Sequence, residues 1–382
     1  MTVHVLVLGA GYSGLVAAKL IARRPGTRVT LVNAGDRFVE RVRLHQVAAG
    51  QPVRQRTVAE LLAGDPVEFV VGRVERIDAE GRKAELADGT RLGYDVLVYA
   101  LGSAAATHAV PGAAEHAYAV ATAEDARRLR ARLAEGGGSS VAVVGGGLTG
   151  IEAAAELAES RPDVTVRLLP GGTLGAGLSA RGRRHLRRVF ARLGVEVRDG
   201  VRVTEVGPSG ALLDDGTRLD ADTVVWAAGF RVPELARTAG FAVDGHGRMV
   251  VDAALRSVSH PEVYAIGDAA AARRPDGQEL RMACATGLPA AAHVARSLDD
   301  RLAGRPARGL RFRYLNQCIS LGRRDALVQY VRADDSPVEY VLTGRLAVLY
   351  KETIVRGALT AQRHPGLVNL TPGGRSSRPA ED

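Results

Sequence analysis

The sequence is poor in cysteine. Cys284 and Cys318 are the only two cysteines among 382 residues, and they do not form a Cys-x-x-Cys pair. A disulfide framework and a zinc site built on thiolates both need more cysteines at closer spacing, so the sequence excludes both. We therefore expect no metal site.

Long apolar segments are also missing. No uninterrupted apolar run approaches the roughly 20 residues that a transmembrane helix needs. The N-terminus does not follow the pattern of a secretory leader, because the first predicted strand already begins at Val3. We expect a cytoplasmic protein that at most lies peripherally on a membrane.

Lysine is scarce, with only Lys19, Lys83 and Lys351, so arginine supplies almost all of the net charge of +9. Aromatic residues make up only 4% of the chain and do not interleave with the arginines, as they do in proteins that bind single-stranded nucleic acid. We interpret the basic surplus as a solvated surface that favours anionic cofactors or acidic lipids, and we expect no dedicated nucleic-acid binding.

Two glycine-rich strings of the same form occupy residues 9–14 and 145–150, each after an aliphatic run and before an alanine-rich helix. In such a turn the first glycine bends the chain, the second lets the backbone approach a pyrophosphate, and the third lets helix and strand pack closely. The helix N-terminus then points free N–H groups at the anion. Two such strings predict two bound dinucleotides, between which electrons can pass.

The segments after the two strings follow the same order. Each unit continues with strands, an antiparallel hairpin and an apolar strand, which ends at Gly102 in the first unit and at Gly229 in the second. Residues 67–77 are predicted to form one strand of the first unit. A later apolar strand ends in Gly267-Asp268, and beyond about Arg311 the pattern predicts strands and then a helix over 346–362. The sequence therefore predicts an α/β fold with an internal repeat.

This ordered set of motifs resembles the two-dinucleotide-binding FAD/NAD(P)H oxidoreductases, which have the pyridine nucleotide-disulfide oxidoreductase fold. The resemblance covers roughly residues 1–300. It implies that the first string binds FAD, that the second binds NAD(P)H, and that Asp268 binds the ribityl chain. The cofactor-binding residues that it implies are Gly9, Gly11, Gly14, Asn33, Arg43, Val74, Ala100, Gly102, Gly267, Asp268, Gly145, Gly147, Gly150, Glu152 and Gly229.

The same resemblance implies two Rossmann-like domains, the second inserted in the first, and a C-terminal α+β domain. Residues 1–112 and 236–305 would form the FAD-binding domain and residues 113–235 the NAD(P)H-binding domain. Residues 306–370 would form an acceptor or interface domain, and the Gly/Pro/Ser/Arg-rich tail 371–382 is expected to be disordered.

Within the family, the chain is similar to the type II NADH dehydrogenases. The flavin-flanking segment 38–50 has no cysteine, which excludes thiol chemistry at the flavin, and its end resembles the Gln-Val-Ala-Thr-Gly of that branch. Residues 314–326 resemble its C-terminal motif ending in Ile-Gly-Arg, and residues 351–354 extend that likeness. Glu152 matches a glutamate placed beside the nicotinamide ribose; the alternative is a first-turn acid that the helix dipole favours.

Three positions depart from that branch. Asn33 stands where an acid usually binds the adenosine ribose of FAD, and its amide can still hydrogen-bond the 2′-hydroxyl. The second unit has Leu169-Pro170 at the corresponding place, neither the acid typical of NADH nor the arginine typical of NADPH. The quinone-site glutamines of the branch are missing from residues 282–289.

Arginines of the next helix could reach the 2′-phosphate of NADPH or could form a solvated helix face. They are Arg181, Arg183, Arg184, Arg187, Arg188 and Arg192. The choice between NADH and NADPH therefore stays open.

Arg43, His45 and Gln46 are expected beside the isoalloxazine ring, on a segment that is largely apolar in the relatives. A cation there would favour the reduced flavin, so Arg43 and Glu152 are the candidate catalytic residues. In the alternative interpretation, Arg43 pairs with the FAD pyrophosphate or with Glu40.

The sequence thus predicts an FAD-dependent NAD(P)H oxidoreductase that passes a hydride to FAD and electrons on to a quinone or quinone-like acceptor. One alternative is a reductase of a ferredoxin-like carrier or of a specialised metabolite. Another is a flavin-containing nucleic-acid-binding or redox-sensing protein, like apoptosis-inducing factor. Peripheral membrane contact and a homodimer are both compatible with the sequence.

Overall fold

The structure, a computed structural model, describes residues 2–136 and 138–370. The tail predicted to be disordered, residues 371–382, lies outside the described residues. The helices are α1 (Tyr12–Ala22), α2 (Leu44–Ala48), α3 (Val58–Leu62), α4 (Ala113–His116), α5 (Ala123–Ala134), α6 (Leu148–Ser160), α7 (Ala180–Leu193), α8 (Leu235–Thr238), α9 (Cys284–Leu302) and α10 (Gly344–Arg363).

The first glycine string lies at the end of the central strand of a five-stranded parallel sheet. The strand order is Val263–Ala265, Val96–Tyr99, Val3–Leu8, Thr27–Asn33, Val67–Val71. Helices α1 and α9 cover one face of the sheet, and a small antiparallel sheet with α8 covers the other, so its strands are nearly continuous aliphatic runs. The carboxyl ends of the strands, where ligands bind in such sheets, carry the string and the Gly267-Asp268 turn.

A second five-stranded parallel sheet repeats this arrangement around the second string. Its strand order is Ala117–Ala119, Thr223–Trp226, Ser140–Val144, Thr165–Leu169, Glu196–Val197. All five strands fall between the Val96–Tyr99 and Val263–Ala265 strands of the first sheet, so the second unit is inserted in the first. The predicted repeat of two Rossmann-like units is therefore confirmed.

Each unit also carries a three-stranded antiparallel sheet. These sheets consist of Val74–Asp78, Lys83–Leu86 and Arg91–Gly93 in the first unit, and of Val203–Gly207, Gly210–Leu213 and Arg218–Asp220 in the second. The predicted single strand 67–77 was wrong, because the chain breaks at Gly72-Arg73 and continues in the other sheet. A Cβ on Gly72 would lie only 2.6 Å from the Leu86 side chain, so a larger residue there would push that side chain aside.

Three two-stranded ladders connect the loops around the main sheets. They pair Arg37–Phe38 with Arg56–Thr57, Ala104–Ala105 with Phe230–Arg231, and Met249–Val250 with Ala270–Ala271. The second ladder joins the two units, since its strands follow Gly102 and Gly229.

The C-terminal segment forms an antiparallel sheet and the helix α10, as the sequence predicts. The strands are Asn316–Ser320, Ala326–Val331 and Pro337–Thr343. The long helix α9, packed against α1, was not predicted, because Gly287 and Pro289 lie in its first turns. A Cβ on Gly287 would run into the Ser13 hydroxyl of α1, so a larger residue there would displace that hydroxyl.

The buried Lys19 ammonium ties the end of α10 to the first unit. It donates to the carbonyl of Leu61 at 2.6 Å and to those of Gln362 and Arg363 at 2.8 and 3.1 Å. It also pairs with Asp65 at 2.8 Å.

Across the described part of the chain, no helix is at once long enough and apolar enough to span a bilayer.

Candidate active site

The three glycines of the first string meet three different steric needs. Gly9 has a φ of +102°, and a Cβ on it would run into the carbonyl of Ala100. A Cβ on Gly14 would collide with the Gly9 carbonyl, whereas the same position at Gly11 has no atom within 4 Å. Gly11 also begins α1 without any side-chain cap. The turn therefore offers open space next to uncapped helix N–H groups, as a pyrophosphate requires.

The second string has the same construction. Gly145 has a φ of +121° and lies against Ala227, and Gly150 packs on the Gly145 carbonyl. The space at Gly147 is open, and α6 begins there without a side-chain cap. Two equivalent anion cradles therefore lie in one chain, and both fit a dinucleotide pyrophosphate.

Asn33 links the first cradle to the end of its neighbouring strand. Its Oδ1 accepts from the Ala10 N–H at 2.9 Å and its Nδ2 donates to the Gly35 carbonyl at 2.7 Å. An aspartate could make the first bond but not the second, because it has no donor when ionised. The Gly72 N–H donates to the Asn33 carbonyl. Val74 follows Gly72 by two residues in the sequence.

Asp268 lies in a polar group that the sequence did not reveal. The Ser103 hydroxyl donates to Asp268 at 2.7 Å, and the Arg41 guanidinium donates to the Ser103 carbonyl at 2.8 Å and its hydroxyl at 2.9 Å. Arg41 is also 3.3 Å from Asp268 and stacks on Phe230, 5.2 Å from the ring centroid. Two features of the sequence could have indicated this polar group: Ser103 directly follows Gly102, and Arg41 lies on the flavin-flanking segment.

Gly102, Gly229 and Gly267 each end an apolar strand with a positive φ, of +67°, +76° and +69°. The segments after Gly102 and Gly229 pair with each other, and the Ala106 N–H donates to the Gly229 carbonyl at 3.3 Å. The structure thus brings together the strand ends of both units, with Asp268 next to Gly267. This is where a group passing between two bound dinucleotides would react.

Arg43 is paired within the protein. It lies 2.6 Å from Glu352 of α10 and 3.3 Å from Glu40, and it donates to Gln46 at 3.3 Å. Only 14% of its side chain is exposed. Arg43 therefore joins the flavin-flanking segment to α10, and two carboxylates compensate its charge.

Glu152 lies at a junction of three segments. Its carboxylate accepts from the Lys351 ammonium of α10 and from the Ser320 N–H at 3.0 Å, and it is 3.8 Å from the His45 ring. Burial would raise the pKa of Glu152, but the Lys351 ammonium and the hydrogen bond from the Ser320 N–H outweigh it, so the pKa is lowered. Burial lowers the pKa of His45 to about 4, although Glu152 opposes the shift. At neutral pH the group thus holds one ion pair and a neutral imidazole.

Both cysteines are protonated at neutral pH. Burial raises the pKa of the Cys284 thiol to about 12 and that of Cys318 to about 11. A thiolate is the reactive form of cysteine, so neither residue has the character of a redox thiol.

The arginines of α7 mostly face solvent or pair with acids. Arg187 pairs with Asp199, Arg192 with Asp325 at 3.0 Å, and Arg183 donates to the Leu178 carbonyl at 2.7 Å. The N-terminus of α7 is covered by Glu339, which accepts from the Ala180 and Arg181 N–H groups. This arrangement has the character of a solvated helix face.

Comparisons with known proteins agree with this geometry. The sequence profile described as pyridine nucleotide-disulphide oxidoreductase matches residues 3–297. An NADH dehydrogenase-like protein of Mycobacterium tuberculosis is 34% identical over 85% of this chain and 87% of its own. A type II NADH:quinone oxidoreductase of Staphylococcus saprophyticus is 26% identical over 85% and 88%. The solved sulfide:quinone oxidoreductase of Aquifex aeolicus has a TM-score of 0.82 at 20% identity, covering 95% of this chain and 92% of its own.

The two cradles can be separated by mutation. We expect Gly11→Val to abolish FAD binding and Gly147→Val to keep FAD but prevent its reduction by NAD(P)H, while dithionite still bleaches it. Both glycines have extended backbone angles that valine adopts freely (φ −74° and −72°), so both variants should fold. The measurement is the flavin absorbance of purified protein before and after each reductant.

Gly207→Val is the matched control, because Gly207 also has open space but lies in an antiparallel sheet; it should retain both functions. A folded Gly11→Val protein with full FAD would refute the first cradle. Loss of flavin from Gly147→Val would mean that the two cradles are assigned in the wrong order.

Proposed function

The chain belongs to the pyridine nucleotide-disulphide oxidoreductase family and is an FAD-dependent NAD(P)H oxidoreductase, and we propose that its electron acceptor is a quinone. The observation that carries this function is the pair of matched cradles, open at Gly11 and Gly147, whose units meet at the strand ends. Relatives named for NADH and quinone support the choice of acceptor.

Each cradle would hold one dinucleotide by its pyrophosphate, at the N-termini of α1 and α6. When bound, the flavin supplies the redox chemistry, taking a hydride from the nicotinamide and passing electrons on. Asp268 would bind the ribityl hydroxyls, and Ser103 and Arg41 would fix its carboxylate in place. The chain thus contributes position and charge, while the cofactors carry the electrons.

Glu152 would position the nicotinamide ribose from the second turn of α6, two residues after Gly150. Its pairing with Lys351 fixes the carboxylate and connects the second cradle to α10. A quinone that reaches α10 and the flavin-flanking segment would meet two ion pairs, Glu152–Lys351 and Arg43–Glu352.

A steady-state acceptor screen tests the proposal. We expect NADH or NADPH to support quinone reduction with a kcat on the order of 1–10³ s⁻¹, and to reduce ferricyanide as well. A ferredoxin-type carrier should be a poor acceptor. Comparing the kcat/KM values for NADH and NADPH decides the cofactor, which the Leu169-Pro170 strand end leaves open.

Two results would show that the protein does not act on a quinone. A rate that is high only with an acidic carrier protein and falls steeply with salt would identify a protein-carrier reductase. Slow turnover with every acceptor, combined with salt-sensitive DNA binding, would favour a nucleic-acid-binding flavoprotein.

Arg43 is proposed as a positioning residue between the flavin-flanking segment and α10. We expect Arg43→Ala to keep FAD and to slow transfer to the acceptor roughly tenfold, below the 10²–10³ of a direct transition-state donor. Reduction by NAD(P)H should change less. Stopped-flow measurement of the two half-reactions separates these steps.

Arg356→Ala provides the control, since Arg356 contacts the same Glu352 carboxylate at 2.9 Å but is 75% exposed. Its rates should stay within about twofold of the wild type, because exposed ion pairs contribute little. Equal slowing of both half-reactions in Arg43→Ala, or loss of FAD, would leave Arg43 as a cofactor clamp.

We also propose that the outer face of α10 contacts a membrane surface. Leu346 and Leu349 are 67% and 65% exposed, while Ala347 and Val355 face the interior. A helix of the core would not expose both leucines. The net charge of +9 suits a bilayer that contains anionic lipids.

A vesicle sedimentation assay tests this contact. The double variant Leu346→Glu, Leu349→Glu should lose most of its binding to vesicles with anionic lipid and keep ferricyanide reduction. Val258→Glu serves as the control, because Val258 is 58% exposed outside α10. Equal binding by wild type and double variant would refute the contact.

A further inference from the structure

Two connections join the second unit to the first, and they lie next to each other. The outgoing connection runs on from Gly102, and the returning connection runs on from Gly229. They pair through the two-residue ladder of Ala104–Ala105 with Phe230–Arg231, and the Ala106 N–H donates to the Gly229 carbonyl at 3.3 Å. A ladder this short is weak by itself. Further contacts are therefore needed to hold the two strand ends at a fixed spacing.

Arg41 of the first unit contacts both connections. Two of its N–H groups donate to Ser103 of the outgoing connection, to the carbonyl at 2.8 Å and to the hydroxyl at 2.9 Å. Its guanidinium carbon lies over the ring of Phe230 on the returning connection, 5.2 Å from the ring centroid. Asp268 lies 3.3 Å from the same guanidinium and compensates its charge. One side chain thus links both connections to the Gly267-Asp268 turn.

Arginine is the residue type suited to this set of contacts. Its planar fork donates two hydrogen bonds while its face stacks on an aromatic ring, whereas a lysine ammonium is a point charge without a face. Phe230 is 41% exposed and lies outside the apolar clusters of the described residues. Its ring therefore serves the contact with Arg41 and not the packing of a core.

The spacing of the two connections matters because the hydride crosses beside them. In the proposed function, FAD lies in the first cradle and NAD(P)H in the second, and the hydride passes directly between them. Such a transfer needs the reacting atoms about 3–3.5 Å apart, and a misplacement of about 1 Å can slow it roughly 10²-fold. Arg41 lies beside Asp268, the residue proposed to hold the ribityl chain, and so at the flavin side of this crossing.

We propose that Arg41 is a positioning residue for hydride transfer between the two dinucleotides. Through Ser103 and Phe230 it fixes the spacing of the two connections, and through Asp268 it ties that spacing to the location of the flavin. Arg41 exchanges neither a proton nor an electron. The hydride, two electrons and one proton, leaves the nicotinamide and is taken up by the flavin. This inference rests on the proposed assignment of the two cradles and does not depend on the acceptor.

Arg41→Met tests the role, because methionine keeps part of the apolar stem and removes both the donors and the flat cation. We expect the limiting rate of flavin reduction by NAD(P)H to fall roughly 10²-fold. The Kd of NAD(P)H should change little, because the second cradle is intact. Stopped-flow absorbance over a series of NAD(P)H concentrations separates the rate from the Kd.

Phe230→Leu removes the ring and changes no charge, so slower reduction in this variant cannot come from a shift in flavin potential. We expect a two- to fivefold slower reduction, roughly the size of an exposed cation–π contact. Phe230→Tyr keeps the ring and should restore the rate. In the Arg41→Met background, Phe230→Leu should have no further effect, because the two residues act through one contact.

A charge-transfer band gives a readout apart from turnover. NAD(P)⁺ stacked on the dithionite-reduced flavin produces a long-wavelength absorbance band, whose intensity falls as the two rings separate. We expect Arg41→Met and Phe230→Leu to weaken this band at saturating NAD(P)⁺, and Phe230→Tyr to keep it. Arg73→Met is the control, because it removes the same charge from the first unit at a side chain that is 70% exposed. It should keep both the band and the rate.

The outcomes separate the two claims. A wild type that NAD(P)H does not reduce overturns the proposed function, and this inference with it. A wild type that NAD(P)H reduces, with Phe230→Leu unchanged in rate and band, overturns the positioning role alone, even where Arg41→Met loses its flavin. A higher Kd of NAD(P)H with an unchanged limiting rate also overturns it, as do additive effects of the two substitutions.

Discussion

Two strand-to-helix turns in this molecule require backbone to touch backbone, and the remaining structure is arranged around that requirement. At Gly9 and Gly145 the chain turns with a positive φ directly over the end of another strand, at Ala100 and Ala227. No side chain fits between these segments. The approach places the start of each helix beside the strand ends of its sheet, so the direction of the helix dipole and the location of the site follow from one steric condition.

The C-terminal segment is held to both units by buried polar contacts. Lys19 fixes the end of α10 to the first unit, and the Glu152–Lys351 pair fixes its middle to the second unit. Within the C-terminal segment, Asp325 accepts from the Gly344 N–H at the start of α10 at 3.0 Å. Breaking a buried pair of this kind costs roughly 3–5 kcal/mol, which is comparable to the margin by which a domain is stable. These contacts determine the placement of α10 more narrowly than apolar packing alone would, since polar partners must match atom by atom.

The parts of the fold that could be predicted from the sequence are those governed by local rules. The helix Ala123–Ala134 and the strand Val3–Leu8 follow from periodicity and from the residues that flank them. The split at Gly72 was missed because it depends on a second sheet, in which Leu86 lies beside Gly72. The helix α9 was missed because Gly287 and Pro289 lie in its first turns. Sequence reasoning named Glu40 as an alternative partner of Arg43, and the structure has that pair at 3.3 Å. It missed Glu352 and Lys351, which follow Arg43 and Glu152 by 309 and 199 residues.

Charge is distributed differently on the surface and in the interior of the molecule. The basic surplus lies on exposed arginines such as those of α7, whereas Arg43 and Lys351 near the site are compensated by Glu40, Glu352 and Glu152. Helix α10 connects the two regions, since Lys351 and Glu352 point toward the cofactor-bearing segments while Leu346 and Leu349 are exposed. An apolar acceptor arriving at the outer face of α10 would therefore be separated only by that helix from the Glu152–Lys351 and Arg43–Glu352 pairs.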